Sequence, residues 1–142
     1  MRFDLNKTMN AARVASVCVL ISLAGCAGLG QRGTPEEQVK ARAQLRQDAL
    51  VKGDLERAYQ YFTPAYRTAV TAQSYRGSIG KALVMVAGTV ESVECETLEK
   101  CVAKVKVETK PLVNPRFTAT ITTYGDETWL LEAGQWWFFQ KL

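Results

Sequence analysis

Val102-Ala103-Lys104-Val105-Lys106-Val107-Glu108-Thr109-Lys110 decides the fold class of this chain. Ala103, Val105 and Val107 fall on one side of an extended backbone, and Lys104, Lys106 and Glu108 on the other. Such alternation marks a strand with one buried and one wetted face. Upstream, Ala82 to Glu94 reads as a second strand whose phase slips. Val84 and Val86 share one parity, Val93 and Cys95 the other, and Gly88 near the slip predicts a β-bulge. Downstream, Phe117, Ala119 and Ile121 alternate with Thr118, Thr120 and Thr122, a threonine row suited to a solvated sheet face. That strand continues towards Trp129 and Leu131. Ala133-Gly134 supplies a turn, and Gln135 to Gln140 forms the last strand.

Helices come first in the chain. Thr34-Pro35-Glu36-Glu37 predicts a helix start, with Thr34 as cap, Pro35 at the first helical position and Glu37 completing a capping box. The helix runs to about Lys52, where Gly53 can leave it in a left-handed conformation. Asp54 caps a second helix whose apolar stripe is Leu55, Ala58, Tyr59 and Phe62. Thr63-Pro64 breaks it and restarts a short helix through Tyr66 and Val70, and Thr71 to Ser78 adds a turn or two. Helices followed by an antiparallel meander predict an α+β domain.

Before the helices stands Leu23-Ala24-Gly25-Cys26, directly after the apolar run Val14 to Ala24. Arg2, Lys7 and Arg13 precede that run, and Met9 is an alternative start. A basic segment, an apolar stretch 11 residues long and a small-residue site have the form of a secretory signal. A membrane-spanning helix needs about 20 apolar residues. With its terminal cysteine the site resembles the lipobox of bacterial lipoproteins. The resemblance implies cleavage after residue 25, a lipidated Cys26 and a membrane held through that lipid. Ala27 at the following position implies the inner leaflet of the outer membrane in a Gram-negative cell. On this reading residues 1–25 are a signal peptide, 26–33 a flexible spacer and 34–142 one domain.

Of 142 residues, 25 would be removed, leaving 117, enough for a single core. Removing three basic residues and one acidic residue from a net charge of +4 leaves +2. No lysine-arginine block occurs, which excludes nucleic acid as the expected partner. The chain has no histidine, which counts against a metal site, and no cofactor is expected. Cys95 and Cys101 flank a polar turn, Glu96-Thr97-Leu98-Glu99-Lys100, and a cross-turn disulfide is the expectation in an oxidising compartment.

The helical words Gly53-Asp54, Ala58-Tyr59, Pro64-Ala65-Tyr66-Arg67 and Tyr75 precede Asp126-Glu127-Thr128-Trp129 and Gly134-Gln135-Trp136-Trp137-Phe138. In this order they resemble the nuclear transport factor 2 superfamily, the cystatin-like fold that includes ketosteroid isomerase. The resemblance implies N-terminal helices packed in a curved antiparallel sheet, with a conical pocket at one end. It also makes a ketosteroid-isomerase-like or cyclase-like enzyme the alternative function, which requires a carboxylate facing the pocket. No acid clearly meets that need. Glu91 lies near the expected bulge, Asp126 and Glu127 belong to a Gly125-Asp126 turn, and Glu94 and Glu108 fall in polar phases.

Binding is therefore the favoured function, for a small amphipathic or anionic ligand or for a cell-envelope protein partner. On the first helix Val39, Ala43 and Leu50 make one apolar edge and Ala41, Leu45 and Ala49 another. Arg42 and Arg46 lie between, and Lys40, Gln44, Gln47 and Asp48 occupy the polar side. Two guanidiniums in an apolar arc suit an anionic group, and Tyr59 and Tyr66 can line the pocket. The plainer reading has the arginine stems covering core edges with their heads in water. On the last strand Trp136 and Phe138 face one side and Trp137 and Phe139 the other. One of those faces is a candidate interface for a second copy or an envelope partner.

Overall fold

The capping box forms as the sequence predicts. Thr34 Oγ1 accepts from the Glu37 amide at 3.3 Å, and the Glu37 carboxylate accepts from the Thr34 N–H at 3.0 Å. Helix α1 then spans Pro35–Val51, and Gly53, with φ of +70°, turns the chain out of it. Asp54 caps α2 (Leu55–Tyr59), Thr63 caps α3 (Pro64–Ala69) and Thr71 caps α4 (Ala72–Ser78). The stripe expected to reach Phe62 inside one helix stops at Tyr59. Pro64 disfavours helical geometry at Thr63, and Phe62 makes a parallel bridge to Phe138 instead. The computed structural model describes residues 33–79, 83–112 and 119–142. Cys26, the signal segment, most of the expected spacer, Phe117 and Thr118 lie outside them.

Among the described residues four strands follow: β1 (Leu83–Thr97), β2 (Lys100–Pro111), β3 (Ile121–Glu132) and β4 (Gln135–Phe139). They pair antiparallel in chain order. The β3–β4 hairpin turns on Ala133 and Gly134, with φ of 51° and 76°, the left-handed pair that suits the sheet's twist. The phase slip in β1 is real but distributed: the register shifts at Met85/Ala87, Val90/Ser92 and Cys95/Thr97 rather than at Gly88. Through these shifts Val90, Val93 and Cys95 all share the face of Val105, Ala103 and Cys101, their partners on β2. Cys95 and Cys101 are joined by a disulfide with their Cα atoms 3.9 Å apart.

The helices cover this inner face over part of its length. Val39 and Ala43 of α1, Tyr59, Phe62 and Tyr75 meet Ala103, Val105, Trp129, Trp136 and Phe138 in one core. The described residues thus bury a core of their own. The first half of β3 extends past it, and Ile121 to Asp126 are exposed on both faces. Ile121 was expected to share a buried phase, yet no described helix reaches its end of the sheet.

The sheet is open, with β1 and β4 at its two sides. It is not the curved cone implied by the resemblance to the nuclear transport factor 2 superfamily. The residues that carried that resemblance do local work: Gly53 and Asp54 separate two helices, Pro64 starts a third, and Gly134 makes a hairpin. Such signals fix element ends in many α+β domains. They leave the curvature of the sheet undetermined.

Candidate functional site

α1 places Arg42 and Arg46 in two different settings. Its buried residues are Val39, Ala43, Arg46, Gln47 and Ala49, whereas Leu45 is 45% exposed. Gln47, expected on the polar side, faces the sheet. The reason is Glu127, which lies on the inner face of β3 opposite Ala103. Arg46 Nη1 forms an ion pair with Glu127 Oε1, and each side chain is only 9% exposed. Gln47 Nε2 donates to the same oxygen at 2.7 Å. The Arg46 guanidinium also rests 4.0 Å from the centroid of the Phe138 ring.

Burial pushes the Glu127 carboxyl above its ordinary range, with the Arg46 charge opposing that rise and Trp129 and Gln47 opposing it less. Burial likewise raises the Tyr75 phenol against the Arg46 charge. Trp129 Nε1 and Tyr75 OH lie beside the pair, and they and Glu127 Oε2 are buried without meeting hydrogen-bond geometry. A carboxylate neutralised by an arginine and tied by an amide is suited to locking helix to sheet. Glu127 was expected in a turn; it is the middle residue of a run, Gly125, Glu127 and Trp129, on one strand face. Counting back by two from Trp129 finds it.

The second setting is the β4 side of the sheet. Arg42 Nε donates to the Trp136 carbonyl at 2.7 Å. With the Gln135 amide turned to present its oxygen, Arg42 Nη2 donates to it at 2.8 Å. The guanidinium stands 5.2 Å from the Tyr61 ring centroid and 5.5 Å from that of Trp137. Arg67, on α3, approaches the same Trp137 ring at 5.0 Å and donates to Gln60 Oε1 at 3.0 Å. Trp137 is half-buried, with its indole N–H on the Glu132 carbonyl. Neither arginine has a carboxylate partner among the described residues. Burial lowers the Arg42 pKa, and the nearby Tyr61 opposes that shift. Arg67 is the residue that the sequence reading passed over. Its cue is distance in space from a residue 70 positions away, which no local pattern records.

The remaining candidates divide by face. Trp136 and Phe138 are core residues, while Trp137 and Phe139 stand on the other side of β4, Phe139 exposed. Tyr59 donates to the Val70 carbonyl at 2.7 Å, bracing α2 against α3. Tyr66 stacks on Phe62, with centroids 4.2 Å apart. Its outer side borders a mostly apolar groove of about 360 Å³ shared with Ala65, Phe139, Lys141 and Leu142. Tyr66 and Phe139 thus line one groove, while Tyr59 is a strut. Among the described residues no helix is long and apolar enough to cross a membrane, and no group of histidine, cysteine or acidic side chains is placed to hold a metal ion.

No family model and no curated protein matches this chain. Among solved structures it is similar to a SEC-C motif containing protein from Rhodopseudomonas palustris, with a TM-score of 0.54 and 13% identity. The match covers 75% of this chain and 76% of that one. At that identity the likeness speaks for the fold alone. It corrects both family resemblances read from the sequence: the fold is an open α+β arrangement of the kind seen in that structure rather than a nuclear transport factor 2-like cone, and the match gives the lipoprotein assignment no support. The Leu23–Cys26 segment on which that assignment stood lies outside the described residues. The chain folds as a small α+β domain suited to a binding role.

Proposed function

We propose that this domain is a non-enzymatic binding module and that its binding surface is the β4 side. Trp137 is the platform, Arg42 and Arg67 flank it, and the groove lined by Tyr66 and Phe139 receives an apolar extension. The partner class is an anionic group attached to an apolar body, carried by a small amphipathic molecule or by a protein. The observation that carries the reading is the convergence of two guanidiniums, unpaired with any described carboxylate, on one half-exposed indole. A guanidinium beside an aromatic face gains from the ring quadrupole and keeps donors for a carboxylate, sulfonate or phosphate.

Arg46, the other arginine of the expected pair, is set aside because Glu127 occupies it. The same pairing weighs against Glu127 as a general base. The Cys95–Cys101 bridge favours an oxidising compartment, such as the cell envelope, as the place of work.

The test is binding of 8-anilinonaphthalene-1-sulfonate, an anion on an apolar body, followed by its fluorescence. Replacing both arginines, Arg42→Gln with Arg67→Gln, is expected to weaken binding at least about tenfold, as loss of charge-assisted contacts implies. Unchanged affinity in a folded double variant overturns the assignment of this surface.

A further inference from the structure

The backbone of β4 shows which way β3 points its hydrogen-bonding groups. The Phe138 N–H donates to the Tyr61 carbonyl at 2.7 Å, and the Phe138 carbonyl accepts from the Thr63 N–H at 3.0 Å. Phe138 therefore turns away from β3, and it forms with its partner Trp129 a non-hydrogen-bonded pair. Thr128, Leu130 and Glu132 then direct their N–H and C=O groups to β4. The Leu131 N–H, donating to Glu99 on the opposite side at 2.9 Å, keeps the same parity. By the period of two, Thr122, Tyr124 and Asp126 face the β4 side as well.

Nothing described meets them there. β4 ends at Phe139, opposite Thr128, and no described residue pairs with the earlier part of β3 on that side. The fold caps parts of its other edges. On β1, Gln44 donates to the Gly88 carbonyl at 2.9 Å and accepts from the Val90 N–H at 3.0 Å. On β4, Phe138 is taken by Tyr61 and Thr63, and the Trp136 carbonyl by Arg42. The exposed stretch Thr122-Thr123-Tyr124 is made of good strand formers and carries neither the lysine nor the proline that guards a free edge.

We infer that the free edge of β3, Thr122 to Asp126, pairs antiparallel with the same edge of a second copy of this chain. A two-fold register centred on Tyr124 sets Tyr124 opposite itself and Thr122 opposite Asp126 of the second copy. All three outward residues of each chain then find partners, with about six backbone bonds across the seam. The register is self-consistent in charge. The only ionisable group near neutrality on this edge, Asp126, faces a threonine, and the two Asp126 carboxylates stand about 13 Å apart along the strands, beyond the screening length in physiological salt. It also fits in length, because β4 bars the edge two residues past Asp126.

Sedimentation equilibrium of the full chain and of residues 33–142 tests this. Both are expected to show a concentration-dependent species of about twice the monomer mass. Tyr124→Pro removes one outward N–H and spares the β2 ladder. Tyr124→Asp keeps the backbone and sets two carboxylates about 5.5 Å apart between Cα atoms. Each is expected to raise the dimer Kd at least about tenfold, whereas Trp137→Ala leaves it unchanged. A chain that stays monomeric into the millimolar range, or a dimer indifferent to both Tyr124 substitutions, overturns the inference. Capture of a foreign strand by a monomeric chain counts as the first of these.

Discussion

Replacing Glu127 by glutamine strands the Arg46 guanidinium between α1 and the sheet. Both side chains of the pair are 9% exposed, so water cannot take over from the lost carboxylate. Breaking a buried pair by removing one partner costs about 3–5 kcal/mol, because the surviving charge keeps its desolvation penalty. Arg46 has no way to relieve this, since a guanidinium does not deprotonate in a protein. Glu127 does: with Arg46→Met its carboxyl, already raised by burial, rises further and takes up a proton. The two single variants should therefore differ in pH dependence. A carboxyl whose pKa is higher folded than unfolded costs stability as pH rises through that interval. Arg46→Met is accordingly more harmful at neutral pH than in weak acid, while Glu127→Gln lacks that relief. Joining the two changes, Arg46→Met with Glu127→Gln, removes both charges and should recover most of the loss. Denaturant melts of the four proteins at neutral and mildly acidic pH give the cycle. Single variants within about 0.5 kcal/mol of the parent, or a double variant as weak as the sum of the singles, refute the reasoning.

Other perturbations probe the frame around that lock. Reducing the Cys95–Cys101 bridge, which closes a short loop, should lower stability by about 2 kcal/mol, read as a shift of the denaturant midpoint under reductant. Gly88→Ala would put a Cβ 2.9 Å from both Gln47 Oε1 and Met85 Cε, so it is expected to cost about 1–3 kcal/mol in a thermal or chemical melt. Gln44→Ala frees the Gly88 carbonyl and the Val90 N–H on the β1 edge. It should cost about 1–2 kcal/mol and increase self-association, visible by light scattering.

Local chemistry made the helix starts legible. Thr34, Asp54, Thr63 and Thr71 each accept a backbone N–H three residues on, an interaction complete within one turn. Strand order and the parity of β2 and β4 were legible for the same reason. What escaped is non-local. Gly125-Asp126 reads as a turn, yet Val105 and Lys104 across the ladder hold it extended, and that places Glu127 in the core. Arg42 and Arg46, four apart on one helix, read as a twin fork for one anion. Glu127 on β3 takes one, and the Trp136 carbonyl at the β4 edge takes the other. β1 carries three register shifts, only one slip of which showed in the pattern of valines.

The central claim is that the β4 side binds an anion on an apolar body. The most direct measurement is a titration with decanoate followed by the two-dimensional NMR signals of the backbone and indole N–H groups, with decanol as the uncharged comparison. Saturable shifts are expected at the Trp137 indole N–H and at Tyr66 and Phe139, stronger for decanoate, and abolished by Arg42→Gln with Arg67→Gln. Equal responses to decanoate and decanol, or shifts centred on the Lys104 and Lys106 face of β2, would contradict it.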